Sequence, residues 1–185
     1  MVLTDTPLCE FGWKAPDFAL ADPDGRMVGL GDVRGAAGTL VMFICNHCPY
    51  VRAIAPRIAR DARDLQDLGI GVVAVMPNDW HRHPDDAPDR MREFAARNGF
   101  TFPYLVDETQ AVARAYGAVC TPDFFGFDRD LGLQYRGRLD ASRTEPKPDA
   151  PRELYEAMRQ VAGTGHGPTR QTASMGCSIK WLPEA

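Results

Sequence analysis

The chain has 185 residues, 44% of them hydrophobic, which is enough to bury one ordinary core. Its formal net charge is -4, and Lys and Arg are scattered without forming a basic run, which argues against nucleic acid or an anionic membrane as partner. No stretch reaches the roughly 18 apolar residues that span a bilayer, and Met1 to Lys14 lacks a basic segment followed by an apolar run, so the expectation is a soluble, cytoplasmic protein.

In chain order, Asp17–Leu20 and Met27–Leu30 flank the turn sequence Pro23-Asp24-Gly25 and predict a short hairpin. Thr39–Ile44 is a continuous apolar run after the break at Gly35–Gly38, the pattern of a strand covered on both faces. From Tyr50 to Leu68 the residues Val51, Ile54, Ile58, Ala62 and Leu65 recur at three- and four-residue spacing, which predicts an amphipathic helix kinked at Pro56 and stopped by Gly69. Ile70–Met76 is a second buried strand, and the strand-helix-strand order implies a parallel pair.

Beyond a polar loop holding Trp80, His81 and His83, the sequence predicts a helix over Asp85–Asn98, a strand over Tyr104–Val106 and a helix over Glu108–Tyr116. Phe124–Phe127 and Leu133–Leu139 predict an antiparallel hairpin, and Pro151–Ala162 a terminal helix. No internal repeat is visible, and the expected organisation is one domain over residues 1–162 with a tail, 163–185, docked on it through Ile179 and Trp181.

Five cysteines, Cys9, Cys45, Cys48, Cys120 and Cys177, are an odd number that argues against a secreted disulfide framework. Cys45-Asn46-His47-Cys48 stands where the buried strand ends and the helix begins. Two cysteines three apart at such a junction can close a small disulfide, and unpaired N–H groups at a helix start stabilise a thiolate. On that reasoning Cys45 is the expected nucleophile and Cys48 the resolving thiol, both near the surface. No acid occurs between Asp32 and Asp61, whereas Arg52, Arg57 and Arg60 follow in the helix, so a lowered thiol pKa is expected. A zinc site would ask for a second CxxC, which the chain lacks.

At these residues the chain resembles the thioredoxin-like superfamily, specifically the peroxiredoxin-like (AhpC/TSA-type redoxin) branch with a CxxC motif. The resemblance rests on Ala15-Pro16-Asp17-Phe18, on Cys45-Asn46-His47-Cys48-Pro49-Tyr50-Val51, on Thr121-Pro122 and on the tail Gly176-Cys177-Ser178-Ile179-Lys180-Trp181. It implies an α/β fold with a mixed central sheet flanked by helices and an N-terminal hairpin extension. It also implies a cis Thr121-Pro122 bond beside the CxxC, and a substrate groove to which Thr121, Pro122 and His47 contribute. The family's buried carboxylate has no counterpart in Thr39–Ile44, and Val41 and Cys45 stand where the peroxiredoxin signature has Pro and Thr. Cys120-Thr121-Pro122-Asp123 occupies the place of that signature's activating Arg.

The activity so implied is thiol-disulfide exchange at Cys45 and Cys48 on protein or small-molecule disulfides, without a cofactor and with a reductase or thiol as electron donor. A thiol peroxidase of antioxidant type is the alternative within redox enzymes. A metal-binding or copper-delivery module using the CxxC and His47 is the alternative outside them. Cys177 and Cys120 are candidate auxiliary redox thiols, each weighed against a role as a buried apolar filler. Cys177 is placed near the helix start at Cys45 if the tail docks there.

Overall fold

The computed structural model describes residues 3–183. The chain begins with β1 (Leu3–Asp5), the hairpin of β2 (Ala19–Ala21) and β3 (Met27–Gly29), a single turn α1 (Leu30–Val33) and the apolar strand β4 (Gly38–Phe43). Then come α2 (Pro49–Asp67), β5 (Ile70–Met76), α3 (Pro88–Asn98), β6 (Tyr104–Val106) and α4 (Ala111–Tyr116). The last third holds β7 (Cys120–Thr121), β8 (Asp123–Phe127), β9 (Leu133–Tyr135), α5 (Glu153–Thr164) and β10 (Met175–Ser178).

Seven strands make one mixed sheet in the order β3-β2-β6-β5-β4-β8-β9, with β4, β5 and β6 parallel and the remaining pairs antiparallel. Side chains alternate across β4, so Leu40 and Met42, with Ile44 just beyond, join a core with α2, α3 and α5, while Val41 and Phe43 join a second core with α4 and the N-terminal segment. Burial on both faces is why the strand reads as an unbroken apolar run. The second core is aromatic: Tyr116 meets Phe125 edge to face at 5.5 Å and Phe43 at 5.5 Å. Such pairs contribute about 0.5 to 1.5 kcal/mol each beyond area burial.

Element boundaries shift where local hydrogen bonding overrides pattern. A 3-10 turn at Pro84–Asp86 precedes α3, which therefore opens at Pro88 and not at Asp85. Gln110 adopts a left-handed backbone with φ 62°, and the Asp107 carboxylate accepts the Ala113 N–H at 2.7 Å, so α4 starts at Ala111 rather than Glu108. β9 ends at Tyr135 instead of reaching Leu139, because the N–H groups of Arg136 and Arg138 turn to Gln171 Oε1 and Thr172 O. α2 runs without interruption through Pro56. α5 covers Glu153–Thr164, two residues beyond the predicted end.

Three strands, β1, β7 and β10, were not legible in the sequence. β10 lies between β1 and β7 in a second, three-stranded antiparallel sheet, with Cys177 opposite both Leu3 and Thr121. Ile179 is buried in the second core, and Arg114 stacks on the Trp181 ring at 4.4 Å. No helix among the described residues is long and apolar enough to cross a membrane.

The loop before β4 presses directly on β5. A Cβ on Gly71 would stand 1.8 Å from Val33 O and 2.6 Å from Gly35 N, both backbone atoms that cannot swing aside. Gly71→Ala is expected to destabilise the fold by about 1 to 3 kcal/mol, the range for overpacking. A urea midpoint equal to that of the unsubstituted protein would contradict this packing.

Candidate active site at the end of the central strands

β4 and β5 are parallel, so both end at the same edge of the sheet, where open α/β sheets place their ligand sites. The bond from Ile44 N–H to Val75 O, 3.0 Å, carries the pairing one residue past β4. Cys45 and Cys48 follow at that edge. Cys48 is the N-cap of α2, with Pro49 as the first helical residue, where its missing N–H is no loss. The helix-start stabilisation expected for Cys45 therefore falls on Cys48, since α2 begins only after the second cysteine.

Both sulfurs converge on one residue of β7. Thr121 Oγ1 lies 3.3 Å from Cys45 Sγ, and Thr121 O lies 3.2 Å from Cys48 Sγ. The Thr121-Pro122 bond is cis. Cys45 and Cys48 are wholly buried, contrary to the expected position near the surface, because β7 and β10 cover the end of β4. Cys177 Sγ is 2.7 Å from Cys48 Sγ, so the tail brings its thiol to the second cysteine of the motif and not to Cys45. All five cysteines are free thiols.

Of the two motif cysteines, Cys48 has the surroundings that favour a thiolate. The Cys45 thiol donates to it, and with further donation from Cys177 and the Val51 N–H it outweighs the cost of burial, lowering the Cys48 pKa to about 5. The Thr121 carbonyl opposes this, since it can accept from a thiol but repels a thiolate. Burial raises the Cys45 pKa well above its ordinary value, and the charge on Cys48 and that of Asp86 raise it further against donation by Thr121.

Asp86 is the acid that the linear reading missed. From the 3-10 turn it accepts the Asn46 N–H at 2.8 Å, the His47 N–H at 3.3 Å, Asn78 Nδ2 at 2.8 Å and the His47 ring Nδ1 at 2.6 Å. Burial pushes the Asp86 pKa up, but the His47 and Asn78 bonds prevail and leave it below the ordinary carboxylate value. The bond to Asp86 raises the His47 pKa in turn. Tyr104 Oη donates to Asn46 Oδ1 at 3.0 Å, so both residues between the cysteines are held. The signal for Asp86 lay in topology: the loop after β5 opens at the same edge as the loop after β4. Two of the three helix arginines serve elsewhere, with Arg57 paired to Asp140 at 2.8 Å and Arg60 to Asp61 at 2.8 Å.

His47 is the partly exposed member of the site, and it lines a cleft of about 250 Å3 with Asn46, Arg52, Arg90 and Arg97. Its ring stacks on that of His83 at 5.9 Å, whereas His81 pairs with Glu108 on the surface at 2.8 Å. Cys45, His47 and Asp86 offer ligand atoms within 4.8 Å of one another, but His47 Nδ1 and Asp86 are committed to their mutual bond. Pro122 borders a second cavity, also about 250 Å3, with Tyr50, Arg138 and Arg143. Cys120 is buried and turns to the Pro122 carbonyl at 3.5 Å, and Cys9 is half-buried away from the cluster.

The sequence profile of the AhpC/TSA family matches residues 11–136. A Mycobacterium tuberculosis protein named "Putative peroxiredoxin" is 32% identical over 171 residues, covering 89% of this chain and 94% of that one. The Thiol-disulfide oxidoreductase ResA of Geobacillus thermodenitrificans is 28% identical over 134 residues, 69% of this chain and 68% of its own. An uncharacterized conserved protein from Geobacillus kaustophilus, known from its crystal structure, superposes with TM-score 0.92 at 44% identity over 100% of this chain and 99% of its own. The fold is thioredoxin-like, and with the match covering residues 11–136 this chain belongs to the AhpC/TSA family of redoxins.

Proposed function

We propose that the protein is a thiol-disulfide oxidoreductase in which Cys45 and Cys48 cycle between dithiol and disulfide. The observation that carries this reading is the convergence of both sulfurs on Thr121, 3.3 Å from Cys45 and 3.2 Å from Cys48, at the start of α2. Cys48 is the attacking thiolate in this scheme, a reassignment from the order expected of the sequence, because the donors gathered at the helix start serve its sulfur.

The thiolate of Cys48 attacks one sulfur of a disulfide R–S–S–R, forming Cys48–S–S–R and expelling R–S⁻. Cys45 loses its proton to the departing thiolate and attacks Cys48 Sγ, which releases the second R–S⁻ and closes the Cys45–Cys48 disulfide. Two electrons leave the protein and two thiols are produced. An external thiol or reductase restores the dithiol. His47, held by Asp86, lies between the two cysteines in the chain and lines the cleft, and with Thr121 and Pro122 it is assigned to positioning the incoming disulfide.

A second reading, peroxide reduction, is supported by the low pKa of Cys48 together with the likeness to the mycobacterial protein. There Cys48–S⁻ takes one oxygen of HOOH, giving Cys48–SOH and hydroxide, and Cys45 condenses with the sulfenic acid to give the same disulfide and water. Rates of the reduced protein with oxidised glutathione and with hydrogen peroxide, measured side by side, decide between the two. The reductase reading expects the disulfide to react at least about tenfold faster, and the reverse order would replace it with the peroxidase.

Cys48→Ser is expected to lower turnover of oxidised glutathione by at least about 100-fold, as loss of a nucleophile does, and full activity in that variant would refute the assignment. Thiolate absorbance of the reduced protein near pH 5 provides a direct check, because a step there should vanish in Cys48→Ser. The sign for stability follows from the same shift. Cys48 titrates at about 5 when folded against 9.0 ordinarily, so its contribution is complete above pH 9.0 and lost as pH falls through 5. The urea midpoint of the reduced protein should rise between pH 5 and pH 8, with a flatter profile in Cys48→Ser.

A further inference from the structure

The third thiol at the helix start comes from the far end of the chain. Cys177 Sγ stands 2.7 Å from Cys48 Sγ, against roughly 2.05 Å in a formed disulfide. Its position is set from both sides. Cys177 is in register with Thr121 on one edge and Leu3 on the other. Gly176 lets β10 press close, since a Cβ there would lie 2.0 Å from Thr121 O. Upstream, Ser174 Oγ donates to Pro122 O at 2.8 Å; downstream, Lys180 N–H donates to Asn78 Oδ1 at 2.9 Å. Cys120 shows the contrast, as an equally buried thiol that turns to a backbone carbonyl.

We infer that Cys177 is a second resolving thiol for Cys48, closing a Cys48–Cys177 disulfide that fastens β10 across the site. The inference rests on the proposed reading of Cys48 as the reacting thiol. After Cys48 has formed Cys48–S–S–R, Cys177 gives its proton to the departing R–S⁻ and attacks Cys48 Sγ. The Cys48–S–R bond breaks, the Cys48–Cys177 bond forms, and R–S⁻ leaves. Electron count and products match those of resolution by Cys45, so either partner completes the reduction of one disulfide. The difference lies in what is cross-linked. The Cys45–Cys48 bond is local, whereas the Cys48–Cys177 bond joins the start of α2 to the covering strand.

The test uses the full chain with Cys45→Ser, reduced and then treated with one equivalent of the thiol oxidant diamide, blocked with iodoacetamide and digested with trypsin. Residues 35–52 form one tryptic peptide holding Cys48, and 171–180 another holding Cys177. The expected result is these two peptides joined in most chains, with two thiols lost per chain. Recovery of Cys177 in alkylated form in more than about nine chains in ten would overturn the inference. Cys45→Ala replaces the serine variant if serine unfolds the chain. With oxidised glutathione, Cys45→Ser should give the same bridge, and the double variant Cys45→Ser/Cys177→Ser a lasting glutathione adduct on Cys48. A bridge with diamide in a protein inert toward oxidised glutathione would overturn the reductase reading alone, whereas turnover without the bridge would overturn only the role of Cys177.

Discussion

A thiolate that is wholly buried must be solvated by the protein itself, and that requirement organises the region around Cys48. The Cys48 sulfur is wholly buried, so a charge on it depends on the Val51 N–H at the start of α2 and on the neighbouring thiols of Cys45 and Cys177. Each donor comes from a different part of the chain. The helix start supplies the first, the end of β4 the second and the C-terminal strand the third. The site therefore exists only when the central sheet, α2 and the tail are assembled together.

The two-faced central sheet makes that assembly rigid. β4 ends between two cores, one lined by α2, α3 and α5 and one by the aromatic side chains around Tyr116, so Ile44 and Cys45 have no freedom to drift toward either face. The close backbone approach at Gly35 and Gly71 sets the other end of the same strands. On the site side, Asp123 reaches Arg136 Nη2 at 3.0 Å, a buried ion pair directly after Pro122. Pairs of this kind contribute little net energy, yet losing one partner is costly, so they resist rearrangement of the chain they anchor.

Asp86 and His47 add an electrostatic constraint of a different kind. The Asp86 carboxylate is saturated by two backbone N–H groups, Asn78 and the His47 ring, so it orients the Asn46-His47 segment while its charge raises the pKa of Cys45. A carboxylate in that position disfavours a negative charge on Cys45. Each member of the CxxC thus has a distinct electrostatic environment, although in the linear sequence the two cysteines are nearly equivalent.

The unbroken apolar run of β4, the parallel crossover to β5, the amphipathic face of α2 and the CxxC at the strand-helix junction were all legible in the sequence, because each shows in the local order of residues. The resemblance at Cys45–Val51 and at Thr121-Pro122 added the fold and its cis bond. Helix starts were less legible, since the choice between Cys45 and Cys48 as N-cap is settled by backbone geometry that spacing alone does not encode. The short strands β1, β7 and β10 carry too few residues for a periodic signal, and they pair across nearly the whole length of the chain. Asp86 and Cys177 lie about 40 and 130 residues from the motif they contact. Composition and local periodicity determine which segments are buried and which can bend, but which charge faces which sulfur depends on how distant segments meet, and only the packed tertiary structure decides that.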